Sequence, residues 1–220
     1  MRDAPITLVM DAILDVGRAA MLTRYAPNSC IAGVAIACEA LWAYGYSGYP
    51  VVVSTRVANP ASAAWTDEQR ALGWPDPPSR PRPADGWNVD LGLPETPVVG
   101  RGGLTAGREL HMVAFVEDGA PDEGWLLDPT LDQAARPARG IHVEPSRLRI
   151  GPDEGPRWLA GEATLGWHDR DGGLVLYTVR PGVTWYRSSP NWGRRDAAVR
   201  ARIVGAIVGA IDAGIGRADA

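Results

Sequence analysis

Residues 109–130 read ELHMVAFVEDGAPDEGWLLDPT, and this stretch decides the fold. Glu109 to Val116 is rich in β-branched and aromatic residues and predicts a strand. Glu117 to Glu123 carries Asp, Gly and Pro turn signals. Gly124 to Asp128 predicts the returning strand, ended by Pro129, which cannot continue an internal ladder. Alternation puts His111, Val113 and Phe115 on one face and Leu110, Met112, Ala114 and Val116 on the other. If Val116 pairs with Glu123, His111 falls directly across from Asp128, with Cβ atoms about 5 Å apart. A histidine between two apolar faces needs a polar partner once buried, and this carboxylate supplies one. Asp132 is the competing carboxylate, but it lies past the proline and outside the register.

Upstream, residues 5 to 24 place Ile6, Val9, Ile13, Val16 and Ala20 at three- and four-residue steps, one face of an amphipathic helix. Pro27 ends it. Asn28 and Ser29 are good N-cap residues for a second helix from about Cys30 to Tyr44. Its expected buried stripe is Ile31, Val34, Ala35, Cys38, Leu41 and Trp42, and Gly45 is a plausible C-cap. Pro50 to Val57, PVVVSTRV, predicts a strand. Residues 58 to 107 then change character. They are dense in Pro and Gly and carry Trp65, Trp74 and Trp87, with room for a short helix near Thr66 to Leu72. Such a long insertion is usually a lid, a binding loop or a disordered segment. Downstream, a hairpin from Ala163 to Val179 turns at Asp169–Gly173. A last helix runs from about Arg195 to Ile211, with Val199, Ile203, Ile207 and Ile211 on one side. The Gly205-x-x-x-Gly209 spacing suggests close packing of this helix against the core.

Composition narrows the function classes. A length of 220 residues fits one domain, here 1–220 with the Pro/Gly-rich insertion. The net charge of −4 is mild, which argues against nucleic acid or anionic lipid as partner. The sequence contains no lysine, so a Schiff-base lysine and a Walker-type phosphate loop are excluded. The arginines look scattered, with only Arg80/Arg82 and Arg194/Arg195 close in sequence. Cys30 and Cys38 lie about 12 Å apart along one helix, too far to bridge. Reduced thiols fit the cytoplasm. No signal peptide and no membrane-spanning run is expected, no zinc-ligand spacing is present, and no cofactor is implied.

Cys30, His111 and Asp128 remain as a candidate nucleophile, base and orienting acid. The first turn of a helix favours a thiolate through its unpaired N–H groups and dipole. The same groups can hold an oxyanion, with Asn28 and Ser29 as weaker candidates for that site. Cys38, at mid-helix on the apolar stripe, reads as a small buried hydrophobe. His142 and His168 read as surface or hairpin residues. The three tryptophans either line a cleft or pack the insertion onto the domain.

Three blocks carry a resemblance: Asn28 to Val57, His111 to Phe115, and Gly124-Trp-Leu-Leu-Asp-Pro-Thr130. Together they resemble the transglutaminase-like superfamily of papain-like cysteine enzymes. There a cysteine opens a helix, a strand follows, then a histidine strand, then a strand ending in Asp-Pro-Thr. Met112-Val113 stands where that family often has Ala-Trp. The resemblance implies an α+β fold with N-terminal helices packed on an antiparallel sheet, and Cys30, His111 and Asp128 as the triad. It implies acyl transfer through a thioester, most simply hydrolysis of an amide or peptide bond in a peptide, protein or small acyl substrate. The alternatives are transfer to an amine, with acyl-CoA as one donor, and a binding protein that keeps the fold with an unused triad.

Overall fold

The computed structural model describes residues 4–26, 29–73, 75, 78–91, 98–100, 103–105 and 111–218. The chain begins with helix α1 (Ile6–Ala12), a π-helical turn (Ile13–Gly17) and α2 (Arg18–Leu22), which run on from one another. Helix α3 (Cys30–Ala43) leads into strand β1 (Gly48–Ala58), and α4 (Pro60–Ala71) follows. Next come β2 (Asn88–Leu91), β3 (Val98–Gly100), β4 (Gly103–Thr105), β5 (His111–Asp118) and β6 (Ala120–Asp128). The last part holds β7 (Ser146–Ile150), α5 (Gly155–Leu159), β8 (Thr164–His168), β9 (Leu174–Val179) and α6 (Ala197–Ala218). The fold is therefore α+β: helices packed on an antiparallel, curled sheet.

Strand β1 is the hub. The sheet runs β7-β6-β5-β1-β9-β8, with β2 also paired to β1. The first half of β1, Gly48 to Val53, pairs with β5 along one edge. Its second half, Val53 to Ala58, pairs with β9 along the other. Val53 thus sits where the strand changes neighbours, opposite both His111 and Val179. The period of two divides the apolar residues between two faces. Val52, Met112, Ala114, Val116 and Leu127 meet α1, α3 and α6 on one face. Val53, Val113, Phe115, Leu126 and Tyr177 pack under Trp158, Leu131 and Ile141 on the other.

Several sequence expectations are corrected. Helix α3 is buried almost all round, from Ala32 to Cys38 and at Ala40 and Leu41, rather than along a stripe. Trp42 is exposed and donates its indole N–H to the Gly48 carbonyl at 2.9 Å. Ser29 makes no side-chain cap bond. Asn28 lies outside the described residues. Helix α6 starts at Ala197 and continues to Ala218, burying Ile203, Ile207 and Ile211. Gly205 and Gly209 face open space, so their spacing serves no close helix contact.

The described part of the insertion holds more regular structure than its composition suggests. Asn59 explains part of this: its Oδ1 caps α4 by accepting from Ser62 N and also accepts from Trp87 N. Its amide donates to the carbonyls of Asp85 and Arg139. One buried side chain therefore ties together three segments far apart in sequence, and β2 adds to the edge of β1. Helix α4 consequently starts at Pro60, well before the expected Thr66. Among the described residues, no helix is long and apolar enough to cross a membrane.

Candidate active site

The histidine hairpin forms with its register displaced by two residues. Val116 pairs with Trp125 rather than Glu123, and Glu117 with Gly124. The reason is the turn. Both strands run on to Gly119, whose φ of +97° suits glycine, and an irregularity between Glu117 and Asp118 absorbs the mismatch. Extending the register, Asp128 falls opposite Val113, one diagonal step from His111. A shift of two keeps every side chain on its face. The two groups therefore still meet: His111 Nε2 and Asp128 Oδ2 are 2.7 Å apart, with both side chains essentially sealed from solvent.

Asp128 is well satisfied for a buried carboxylate. Its Oδ2 also accepts from the Tyr177 hydroxyl at 3.1 Å, and its Oδ1 accepts from Thr130 N at 3.1 Å. Buried charges persist where such bonds replace water. Tyr177 is held in turn by Trp158, whose indole donates to the Tyr177 carbonyl. Burial, and then the Asp128 charge, push the Tyr177 hydroxyl well above its ordinary range, so it remains a donor. Asp132, the competing carboxylate, is paired with Arg18 at 2.8 Å.

Cys30 is half-buried at the start of α3. Two packing contacts set its position. Leu41, near the end of α3, lies against Gly48 at the start of β1. Gly33, in the first turn, faces Thr130, Met21 and Pro129 so closely that a Cβ there would lie 2.8 Å from Thr130 Cγ2. The Asp-Pro-Thr corner is thus pressed against the first turn of α3, and the Cys30 thiol lies within hydrogen-bonding reach of the His111 side chain. Burial disfavours a charge on His111. The Asp128 carboxylate beside it, with Cys30 adding, outweighs that and pushes the imidazole up to about 10.

The structure adds two residues that sequence reasoning missed. Gln133 Nε2 lies 2.8 Å from His111 Nδ1. Because Nε2 of the ring is committed to Asp128, Nδ1 is the nitrogen left for exchange. Gln133 can serve either state of the ring: its Nε2 donates to a neutral Nδ1, and its Oε1 accepts from a protonated one. Its residue type gave no signal; only its place in the Leu131–Ala134 turn after Thr130 brings it here. Tyr177 had one weak signal, a phenol in a mostly apolar strand.

Trp65 and Trp87 make their polar contacts away from this cluster. Trp65 donates to the Arg80 carbonyl at 3.0 Å. The Arg139 guanidinium stacks 3.6 Å from the centre of the Trp87 ring. Trp74 lies outside the described residues. His142 is exposed, and His168 pairs with Asp67 at the surface. Among the described residues, no group of three His, Cys, Asp or Glu side chains could hold a metal ion.

Comparison of the chain with protein-family models, with curated proteins and with solved structures finds no match.

Proposed function

We propose that this protein is a cysteine-dependent acyl-transfer enzyme of the transglutaminase-like, papain-like kind. The observation that carries the reading is one imidazole, His111, bonded to a buried carboxylate through Nε2 and within reach of a helix-start thiol. In the proposed cycle Cys30 Sγ attacks an amide or ester carbonyl as a thiolate, its proton resting on His111 Nδ1. Donors of the first α3 turn stabilise the oxyanion, and the helix dipole adds to them. His111 returns the proton to the departing amine or alcohol, leaving a thioester on Cys30. Water, deprotonated by the same ring, attacks the thioester and releases the acid. Asp128 holds the ring and stabilises its charged form without taking the proton. Hydrolysis is the leading reading because water requires no second binding site. Transfer to an amine would use the same residues.

The experiment is a burst assay with 4-nitrophenyl acetate, followed by intact mass. The expected result is a burst of one nitrophenolate per active chain, with an acetyl adduct on Cys30. Hydrolysis with neither burst nor adduct, unchanged in Cys30→Ala, would overturn the reading. Adding glycinamide separates the acceptors: faster release with acetylglycinamide as product indicates transfer.

A further inference from the structure

A second polar feature lies along the second half of β1. A cavity of about 270 Å³ opens on the sheet between β1, β9 and α4, lined by Ser54, Arg56, Arg70, Leu176, Thr178 and Arg180 among others. The described lining contains three guanidinium groups and no carboxylate, in a chain whose net charge is −4. Asp90 neutralises Arg56 through a 2.6 Å ion pair and fixes its orientation. Arg180 is oriented by donating Nε to Ser54 Oγ at 2.8 Å. Arg70 projects from the exposed side of the last turn of α4. The net positive charge of the cavity therefore comes from Arg70 and Arg180. Neither forms an ion pair with a carboxylate among the described residues. The Thr178 and Thr164 hydroxyls, 2.9 Å apart, add further polar groups, and Leu176 supplies an apolar wall.

The rise of the two elements sets this cavity at about the height of Cys30 along β1. From Gly48 to Ser54 β1 advances about 20 Å. From Leu41 back to Cys30, α3 covers about 16 Å. Leu41 packs on Gly48, so Cys30 and Ser54 come nearly level. Parity puts Ser54 and Arg56 on the face of β1 that carries Val52, the face α3 covers. Ser54 also directly follows Val53, the residue in register with His111. The cavity thus lies on the α3 face of the sheet, beyond Val52 on β1.

We infer that the Arg56–Arg70–Arg180 cavity binds an anionic group, carboxylate or phosphate, carried on a short apolar stem by the acyl substrate that Cys30 attacks. Arginine presents a planar fork suited to either anion. The volume holds a group of a few heavy atoms and not a long chain. The inference rests on the proposed role of Cys30 for its catalytic meaning, while the binding itself is independent of that role.

Two measurements test it on the full chain. The first compares alkylation of Cys30 by iodoacetate and by iodoacetamide, which differ in charge and little in shape. The ratio of their rates is expected to fall about two- to fivefold in Arg70→Gln and in Arg180→Gln, and to recover in Arg180→Lys. Because both reagents meet the same thiol, the ratio cancels any change in the reactivity of Cys30 itself. A ratio unchanged in both Gln variants overturns the placement beside Cys30. The second titrates Cys30→Ala with sodium phosphate and with glutarate, following amide resonances of Ser54, Arg56 and Thr178. Saturable shifts with glutarate identify a carboxylate site, and with phosphate a phosphate site. Shifts with neither, or shifts that persist in the Arg70→Gln/Arg180→Gln double variant, overturn the inference. Because that titration needs no thiol, saturable binding alongside an unreactive Cys30 would sink the enzyme reading and leave the anion site standing.

Discussion

The first turn and the middle of α3 each carry a cysteine, and their surroundings make the two thiols different groups. Cys38 is fully buried among apolar side chains, and burial, with the neighbouring Glu39 charge adding, pushes its thiol up to about 12. Cys30 lies eight residues earlier, half-buried, where the helix begins and His111 and the Asp-Pro-Thr corner converge on it. Both residues have the same chemistry and sit on the same helix. What separates them is whether the ends of β5 and β6 come within reach.

The sharpest way to break that contrast is to delete each thiol in turn. Cys30→Ala is expected to abolish the nitrophenolate burst and iodoacetamide labelling under native conditions. Cys38→Ala should leave both rates near those of the parent chain, with a modest stability cost from the small cavity left behind. Peptide mapping after labelling reads the result directly. Rapid modification of Cys38 in the folded protein would erase the distinction.

Next in size is Asp128→Asn. The amide offers its own N–H toward His111 and cannot stabilise the imidazolium, so the ring loses both its orientation and its charge. The expected fall in turnover is on the order of 10²–10⁴-fold. Folding should be retained, since an amide at this position can still bond to Thr130 N and Tyr177 Oη. A fall of less than tenfold would reduce Asp128 to a structural partner of the histidine.

How much of this was readable beforehand follows from where each signal lies. The face occupied by His111, Val113 and Phe115 depends only on the period of two, so it survived an error of two residues in register. The register itself depended on the turn, and Gly119 was hidden among seven residues with similar turn signals. The first half of helix α4 was missed because its cap, Asn59, gains its meaning from Trp87, Asp85 and Arg139, far along the chain. The arginine cavity was invisible for the same reason. Arg56, Arg70 and Arg180 look scattered in sequence, and the pairing of β1 with β9 brings them together. Cys30 was legible because a helix start is a local event. Gln133 and Tyr177 were not, because their roles exist only once Asp128 and His111 have met.

The protonation of His111 offers a further test. Its native value is pushed up to about 10, against about 6.5 for an ordinary imidazole. Between those values the unfolded chain has released its proton while the native ring keeps it. Stability contributed by the ring is therefore complete below pH 6.5 and declines as pH rises toward 10, by up to about 1.4 kcal/mol per pH unit. Urea unfolding at pH 6, 8 and 9.5 should show this loss, and His111→Gln should flatten it. A native His111 Cε1–H resonance titrating near pH 6.5 would contradict the ion-pair arrangement.

Tyr177→Phe is expected to have the smallest effect, and its value lies in separating support from chemistry. It removes one of three donors to Asp128, leaving His111 Nε2 on Oδ2 and Thr130 N on Oδ1. Losing a hydrogen bond to a buried charge costs about 1.5–3 kcal/mol of stability. The carboxylate left behind is less well satisfied and draws the His111 proton more strongly, so the ring should stay charged and oriented. Turnover is then expected to stay within about tenfold of the parent while the urea midpoint drops. If turnover instead falls as far as in Asp128→Asn, the phenol belongs to the reacting network. The contrast between the two α3 cysteines would then rest on three side chains serving Cys30, with β9 contributing as directly as β5 and β6.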